Sequence, residues 1–120
     1  MDDSTLRGVY TIAPTPFEED GSLDTGSLST LTNFLIDLGI DGMTIIGVMG
    51  EASKLTESER DRIIAGVVEA SNGRMPICVG TSHTGTDACV ALSKRAEELG
   101  ASSLMVAPSK LAKSTDEALR

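Results

Sequence analysis

Aromatic residues are nearly missing from this chain. Its 120 residues include one Tyr, two Phe and no Trp, so a core must be built from aliphatic side chains. Long apolar runs are missing too. No stretch reaches the ~18 residues of a membrane helix, and a membrane partner is not expected. Positive charge is scarce: ten Lys plus Arg stand against eighteen Asp plus Glu, a net charge of −8. Phosphate backbones are held by local basic density, so non-specific nucleic-acid binding is not expected. The opening MDDST is acidic and lacks the basic-then-apolar order of an export signal. The only cysteines, Cys78 and Cys89, fit neither a C-x-x-C redox site nor zinc spacing; they read as reduced thiols, one in strand core and one on a helix. The single histidine, His83, has no Cys or His neighbour to share a metal and reads as a loop-surface residue. A cytoplasmic location is the resulting expectation.

What is present is an alternation of strand and helix. GVYTIA, residues 8–13, reads as a strand that APTPF stops, since proline cannot continue a ladder. EEDGS reads as a turn. A helix follows from about Thr25 or Ser27, with Leu28, Leu31, Phe34, Leu35 and Leu38 on one face and Gly39 as its stop. A strand over 43–46 comes next. Thr56 and Glu59 have the T-x-x-E spacing of a capping box, and Ile63, Ile64, Val67 and Val68 carry on the apolar face of that helix. SNGRMP leads into a strand over 77–79. Thr84 or Thr86 is placed to cap a third helix, whose expected buried stripe is Ala88, Ala91, Leu92, Ala96 and Leu99, with Gly100 as its end. A fourth strand is expected over 104–107, and TDEALR reads as the opening of another helix capped by Thr115.

Strand–helix–strand crossovers of this length build parallel sheets, whose short apolar strands are buried on both faces. Periodicity alone leaves two architectures, a doubly wound open sheet and a (β/α)8 barrel. A Rossmann site needs G-x-G-x-x-G directly after a strand and a P-loop needs GxxxxGK[ST]; neither sequence occurs.

The stretch GVMGEASKLTESE, residues 47–59, breaks out of the second strand with two glycines around two apolar residues. Gly47 and Gly50 permit positive φ or close backbone approach. If the sheet belongs to a barrel, whose sites form at C-terminal strand ends, Gly47 and Gly50 are candidates for substrate proximity. Thr81, after the third strand, is a further candidate donor. Glu51 is expected to have a structural role, accepting loop or helix N–H groups or packing on a neighbouring loop. Lys110 follows the fourth strand in a polar segment and is not expected to act as a nucleophile.

TPFEEDGSLD (15–24), GIDGMTIIGVMGEASKLTESER (39–60), GRMPICVGTSHTGTDA (73–88) and AEELGASSLMVAP (96–108) together resemble the pyruvate-dependent aldolases and lyases typified by dihydrodipicolinate synthase and N-acetylneuraminate lyase. The resemblance implies a (β/α)8 TIM barrel, of which this chain holds about the first four β/α units, as the N-terminal half of one domain. It implies Schiff-base chemistry on pyruvate or another 2-oxo acid, with a protein lysine as nucleophile and no metal or organic cofactor. The family's lysine lies on the sixth strand and its tyrosine on the fifth, both past residue 120, so no catalytic residue is assigned here. The family usually has Gly-Thr-Thr-Gly-Glu or Gly-Ser-Thr-Gly-Glu where this chain has Gly47-Val48-Met49-Gly50-Glu51. The resemblance thus implies substrate binding at Gly47, Val48, Met49 and Gly50, with Thr81 at a family position near the site; the hydroxyls that help hold the substrate carboxylate are replaced, and true dihydrodipicolinate synthase activity is not expected.

Four strands alone leave two open sheet edges and inward side chains expected to be largely aliphatic. A homo-oligomer is therefore expected. The alternative to an enzyme is a non-catalytic barrel fragment that self-associates.

Overall fold

A computed structural model describes residues 6–108. Four strands, β1 (Tyr10–Ile12), β2 (Gly42–Ile45), β3 (Ile77–Gly80) and β4 (Ser103–Met105), alternate with three helices, α1 (Thr25–Asp37), α2 (Glu57–Ser71) and α3 (Thr86–Leu99). The strands form one sheet in the order β1-β2-β3-β4. Every pairing is parallel, with Ile12 beside Thr44, Thr44 beside Cys78 and Cys78 beside Ser103. The proposed helix over TDEALR, and Lys110, lie outside the described residues.

Each helix is started and stopped by local chemistry. In α1 the cap is Asp24, one residue before the expected start; its carboxylate accepts the Ser27 amide at 2.9 Å. In α2 the capping box closes as its spacing predicts: Thr56 Oγ1 accepts the Glu59 amide at 3.1 Å, and Glu59 Oε1 accepts the Thr56 amide at 3.0 Å. The expectation for α3 needs correction. Neither Thr84 nor Thr86 caps it; Gly85 occupies the cap position without a side-chain bond, while His83 Nδ1 accepts the Gly85 amide at 2.9 Å. The lone histidine is thus an exposed turn residue.

Met43, Ile45, Ile77 and Val79 are at most 2% exposed. They form the centre of the core with Leu28 and Leu35 of α1 and Ile63, Ile64 and Val67 of α2. The predicted stripe of α1 is only half right, because Phe34 and Leu38 are exposed and Thr32 is buried. In α3, Ala96 alone is fully buried, and Ala91 is exposed.

The other sheet face departs from expectation. Successive strand residues point to opposite faces, so the helix-facing positions take the large aliphatics. Tyr10, Ile12, Thr44, Cys78, Ser103 and Met105 are left on the inner side, which is therefore mixed rather than largely aliphatic. Tyr10, Thr44, Cys78, Ser103 and Met105 line one small cavity of about 380 Å³ with the Leu6–Gly8 segment. Cys78 is accordingly half-buried on this face rather than packed in the helix-side core. Burial pushes the Tyr10 phenol up from its ordinary value, and nearby Cys78 and Asp41 add to the effect.

β4 ends at Met105, two residues before the expected limit. Val106 and Ala107 belong to the segment beyond it, where the Ala107 amide donates to Ser82 Oγ at 2.9 Å.

Candidate active site

All four strands run in the same direction, so their C-terminal ends form one rim. β2 leaves the sheet at Ile46, which is 2% exposed and carries φ of 57°. A β-branched residue in the left-handed region is a strained conformation. Gly47, Val48, Met49 and Gly50 then turn over the rim. The Glu51 amide donates to the Val48 carbonyl at 3.0 Å and the Ala52 amide to the Gly47 carbonyl at 3.3 Å.

The two glycines of this turn do not supply positive φ. The left-handed residues are Ile46 and Glu51, on either side of them. Gly50 is required by close approach instead: a Cβ there would lie 3.0 Å from the Ile46 nitrogen and 3.2 Å from the Gly47 nitrogen. A Cβ on Gly47 would meet the flexible tip of Met105 at 3.2 Å, a constraint from the inner face of the sheet.

Thr15, in the loop after β1, fixes the turn from outside. Its buried hydroxyl donates to the Gly50 carbonyl at 2.6 Å. Glu51 does not collect loop amides as expected; its carboxylate pairs with Lys54 Nζ at 2.9 Å, which pushes the lysine up from its ordinary value through that hydrogen bond. This remains a structural role.

The candidate residues separate in depth. Val48 and Met49 are 94% and 63% exposed, and their side chains project from the rim. Gly47 and Gly50 are buried beneath them. The amides of Val48, Met49 and Gly50 donate to no acceptor among the described residues, and successive free N–H groups of this kind make anion-binding concavities. Thr81 is fully buried; its hydroxyl is 2.9 Å from Ser93 Oγ, and its amide donates to the Met105 carbonyl at 3.1 Å. It ties β3 to α3 and to the end of β4, while its neighbours Ser82 and His83 face the cleft.

That cleft, of about 1130 Å³, opens from Gly47 and Val48 toward α2 and α3. Arg60 lies along it, only 8% exposed, and donates to the Gly80 carbonyl at 2.8 Å. Burial pushes its guanidinium down from its ordinary value, against the opposing pull of Asp61 and Glu57. Arg95 at the outer edge is held by Asp61 and Glu98, each at 3.2 Å. Sequence reading missed Thr15, Arg60 and Gly80. Arg60 was open to detection, because it sits at i, with Ile63, Ile64 and Val67 at i+3, i+4 and i+7, on the apolar stripe where a charge needs a partner.

A profile of the Dihydrodipicolinate synthetase family matches residues 5–119. The chain belongs to that family. Its relatives include L-2-keto-3-deoxyarabonate dehydratase of Azospirillum brasilense, 39% identical over 102 residues that cover 85% of this chain and 33% of that protein. Another is trans-O-hydroxybenzylidenepyruvate hydratase-aldolase of Sphingobium xenophagum, 34% identical over 113 residues, covering 88% and 34%. Among solved structures, dihydrodipicolinate synthase of Thermotoga maritima superposes with a TM-score of 0.89 at 32% identity, covering 96% of this chain and 39% of that one. The chain thus spans about a third of the length of the curated relatives it matches. Of the two architectures left open by periodicity, the family selects the barrel: the four parallel strands and three helices are the N-terminal portion of a (β/α)8 TIM barrel. Lyase or aldolase chemistry is the family's class.

Proposed function

We propose that the whole protein is a Schiff-base-forming lyase or aldolase that acts on pyruvate or another 2-oxo acid, and that residues 1–120 are the N-terminal half of its single barrel domain. In this reading the rim turn Gly47–Gly50 seats the substrate carboxylate, with Thr81 holding the neighbouring strand end. The nucleophilic lysine and the proton-transferring tyrosine come from chain outside these residues. The lysine amine attacks the 2-oxo carbon, the carbinolamine so formed expels the former carbonyl oxygen as water, and the resulting iminium accepts the electron pair when a bond at the neighbouring carbon breaks. No metal or organic cofactor enters this chemistry. The protein works in the cytoplasm as a homo-oligomer.

The observation that carries the proposal is the row of amides at Val48, Met49 and Gly50, at the C-terminal strand ends, that donate to no acceptor among the described residues. Those groups favour an anion at the position where barrel enzymes place substrate. The turn offers no side-chain hydroxyl of its own, so the carboxylate is held by backbone alone, and true dihydrodipicolinate synthase activity does not fit this reading.

The test is reductive trapping. The full-length protein, incubated with pyruvate and borohydride, gains the mass of one reduced pyruvyl group on a lysine. An unchanged mass, under conditions that label a known Schiff-base aldolase, would contradict the proposal.

A further inference from the structure

We infer that Arg60 is a positioning residue for the carboxylate seat: it takes the Gly80 carbonyl that the Gly47 amide would otherwise hold, and so keeps the rim turn off the sheet with its amides turned to the substrate. The inference rests on the 2-oxo acid reading above and names a residue that serves it.

The register of the sheet carries the argument. In a parallel pair the ladder bonds are evenly spaced, and β2 donates to β3 from every second residue. The Met43 amide donates to the Pro76 carbonyl at 3.2 Å. The pairing then runs from Met43 beside Ile77 to Ile45 beside Val79. Carried on by one step, it would set the Gly47 amide on the Gly80 carbonyl. That step is not made. Ile46 carries φ of 57°, and its carbonyl, not the Gly47 amide, is turned onto Gly80, where it fills the space of a Cβ. The Gly47 amide donates to no acceptor among the described residues.

The Gly80 carbonyl has thereby lost its ladder partner, and a buried carbonyl left unpaired is costly. Arg60 replaces the missing donor. It reaches over from α2 and donates to that carbonyl at 2.8 Å. The residue is 8% exposed and lies on the apolar stripe with Ile63, Ile64 and Val67. Burying a guanidinium there is unfavourable unless it is well bonded. Among the described residues no carboxylate forms an ion pair with it. Its partner is the strand-end carbonyl.

The rim turn therefore has two arrangements to choose between. In one, Arg60 holds Gly80, Ile46 stays left-handed, and the amides that follow face the substrate. In the other, the Gly47 amide rejoins Gly80 and the ladder runs on. That arrangement relieves the strain at Ile46 but draws the turn into the sheet and swings its amides away. A charge-assisted hydrogen bond to Gly80 favours the first. Thr15 pins the far end of the same turn through the Gly50 carbonyl, so side chains from two different elements hold it at both ends.

The test makes two measurements on the full-length protein. Borohydride trapping over a range of pyruvate concentrations gives a half-saturation point and a rate at saturation. Amide exchange by NMR reports on Gly47. We expect Arg60→Met to raise the half-saturation point at least about tenfold, the scale on which one charge-assisted hydrogen bond biases a two-state turn. The rate at saturation stays unchanged, and Gly47 exchanges more slowly because its amide joins the Gly80 carbonyl. Circular dichroism shows the fold retained. Arg60→Lys, which returns a donor, brings the half-saturation point part of the way back. Should Arg60→Met fail to fold, Arg60→Gln, whose amide stops short of the place of the guanidinium nitrogen, gives the same comparison. An unchanged half-saturation point, or a fall in the saturated rate alone, overturns the inference, and so does Gly47 exchange no slower than in the unaltered protein. Failure of the unaltered protein to trap pyruvate sinks the 2-oxo acid reading and the seat with it, whereas trapping that is indifferent to Arg60 sinks the positioning role alone.

Discussion

The carbonyl oxygen of Ile46 occupies the space into which a side chain on Gly80 would grow. Ile46 is in the left-handed region, so its carbonyl turns toward β3 instead of continuing the β2 ladder. Only glycine at 80 lets the two strand ends close to this distance. Gly80→Ala therefore forces either the β2 turn or the end of β3 to move. Overpacking of this kind costs about 1–3 kcal/mol and occasionally more. Urea denaturation of the full-length protein measures it, and a midpoint unchanged from wild type would refute the close approach.

Arg60 holds the same strand end from the helix side. Its guanidinium donates to the Gly80 carbonyl at 2.8 Å while almost wholly buried. Arg60→Met keeps the stem and removes the donor, leaving a buried carbonyl unpaired, a loss of about 1–3 kcal/mol. Arg60→Lys restores a cation without the planar fork, and recovers only part of that loss. Full recovery by lysine would show that charge rather than the directed hydrogen bond is what matters.

Thr15→Val tests the support of the rim turn. The substitution removes the donor to the Gly50 carbonyl at nearly constant volume. Stability falls by about 1–3 kcal/mol as a buried acceptor is left unpaired. The KM for pyruvate rises, because the turn bearing the amides of residues 48–50 loses its anchor. A stability loss with KM unchanged would place Thr15 in the scaffold alone.

The helix caps give the stability a definite acid limb. Hydrogen bonds from Ser27 hold the Asp24 carboxyl below its ordinary range, and those from Thr56 do the same for Glu59. A carboxyl lowered in the folded state contributes stability above its unfolded value, near pH 4–4.5, roughly. That contribution is lost as pH falls through the lowered folded value. Glu59→Gln and Asp24→Asn should each flatten the decline of the urea midpoint below about pH 4.5. A decline as steep as wild type in both variants would show that other carboxyls set the acid limb.

Much of the scaffold is legible in the sequence. The spacing of Ile63, Ile64 and Val67, the T-x-x-E of Thr56 and Glu59, and the glycine stops at 39 and 100 are local signals, and the helices follow them. Strand existence is likewise local, since MTII and ICV are short apolar runs between turns. What the sequence hides is which side of the sheet each strand residue faces. Thr44, Cys78 and Ser103 share an inner row only because the register brings them together, and register is a relation between distant segments. The rim shows the same division. GVMGE marks a special turn, yet the left-handed residues are Ile46 and Glu51 rather than the glycines. The demand for glycine at 80 comes from a carbonyl thirty-odd positions earlier in the chain. Thr81 reads as a candidate donor into a pocket from its place after a strand, but the packing of α3 brings Ser93 against its hydroxyl.

The central claim is that the turn at residues 48–50 seats the carboxylate of a 2-oxo acid bound covalently to the whole protein. A crystal structure of the full-length protein, reduced with borohydride in the presence of pyruvate, tests it most directly. The account predicts a pyruvyl-lysine adduct whose carboxylate oxygens lie within hydrogen-bond distance, about 2.7–3.2 Å, of the amides of Met49 and Gly50, with the Val48 side chain at the rim beside it. An adduct whose carboxylate is held elsewhere, with those amides bonded only to solvent, would contradict it.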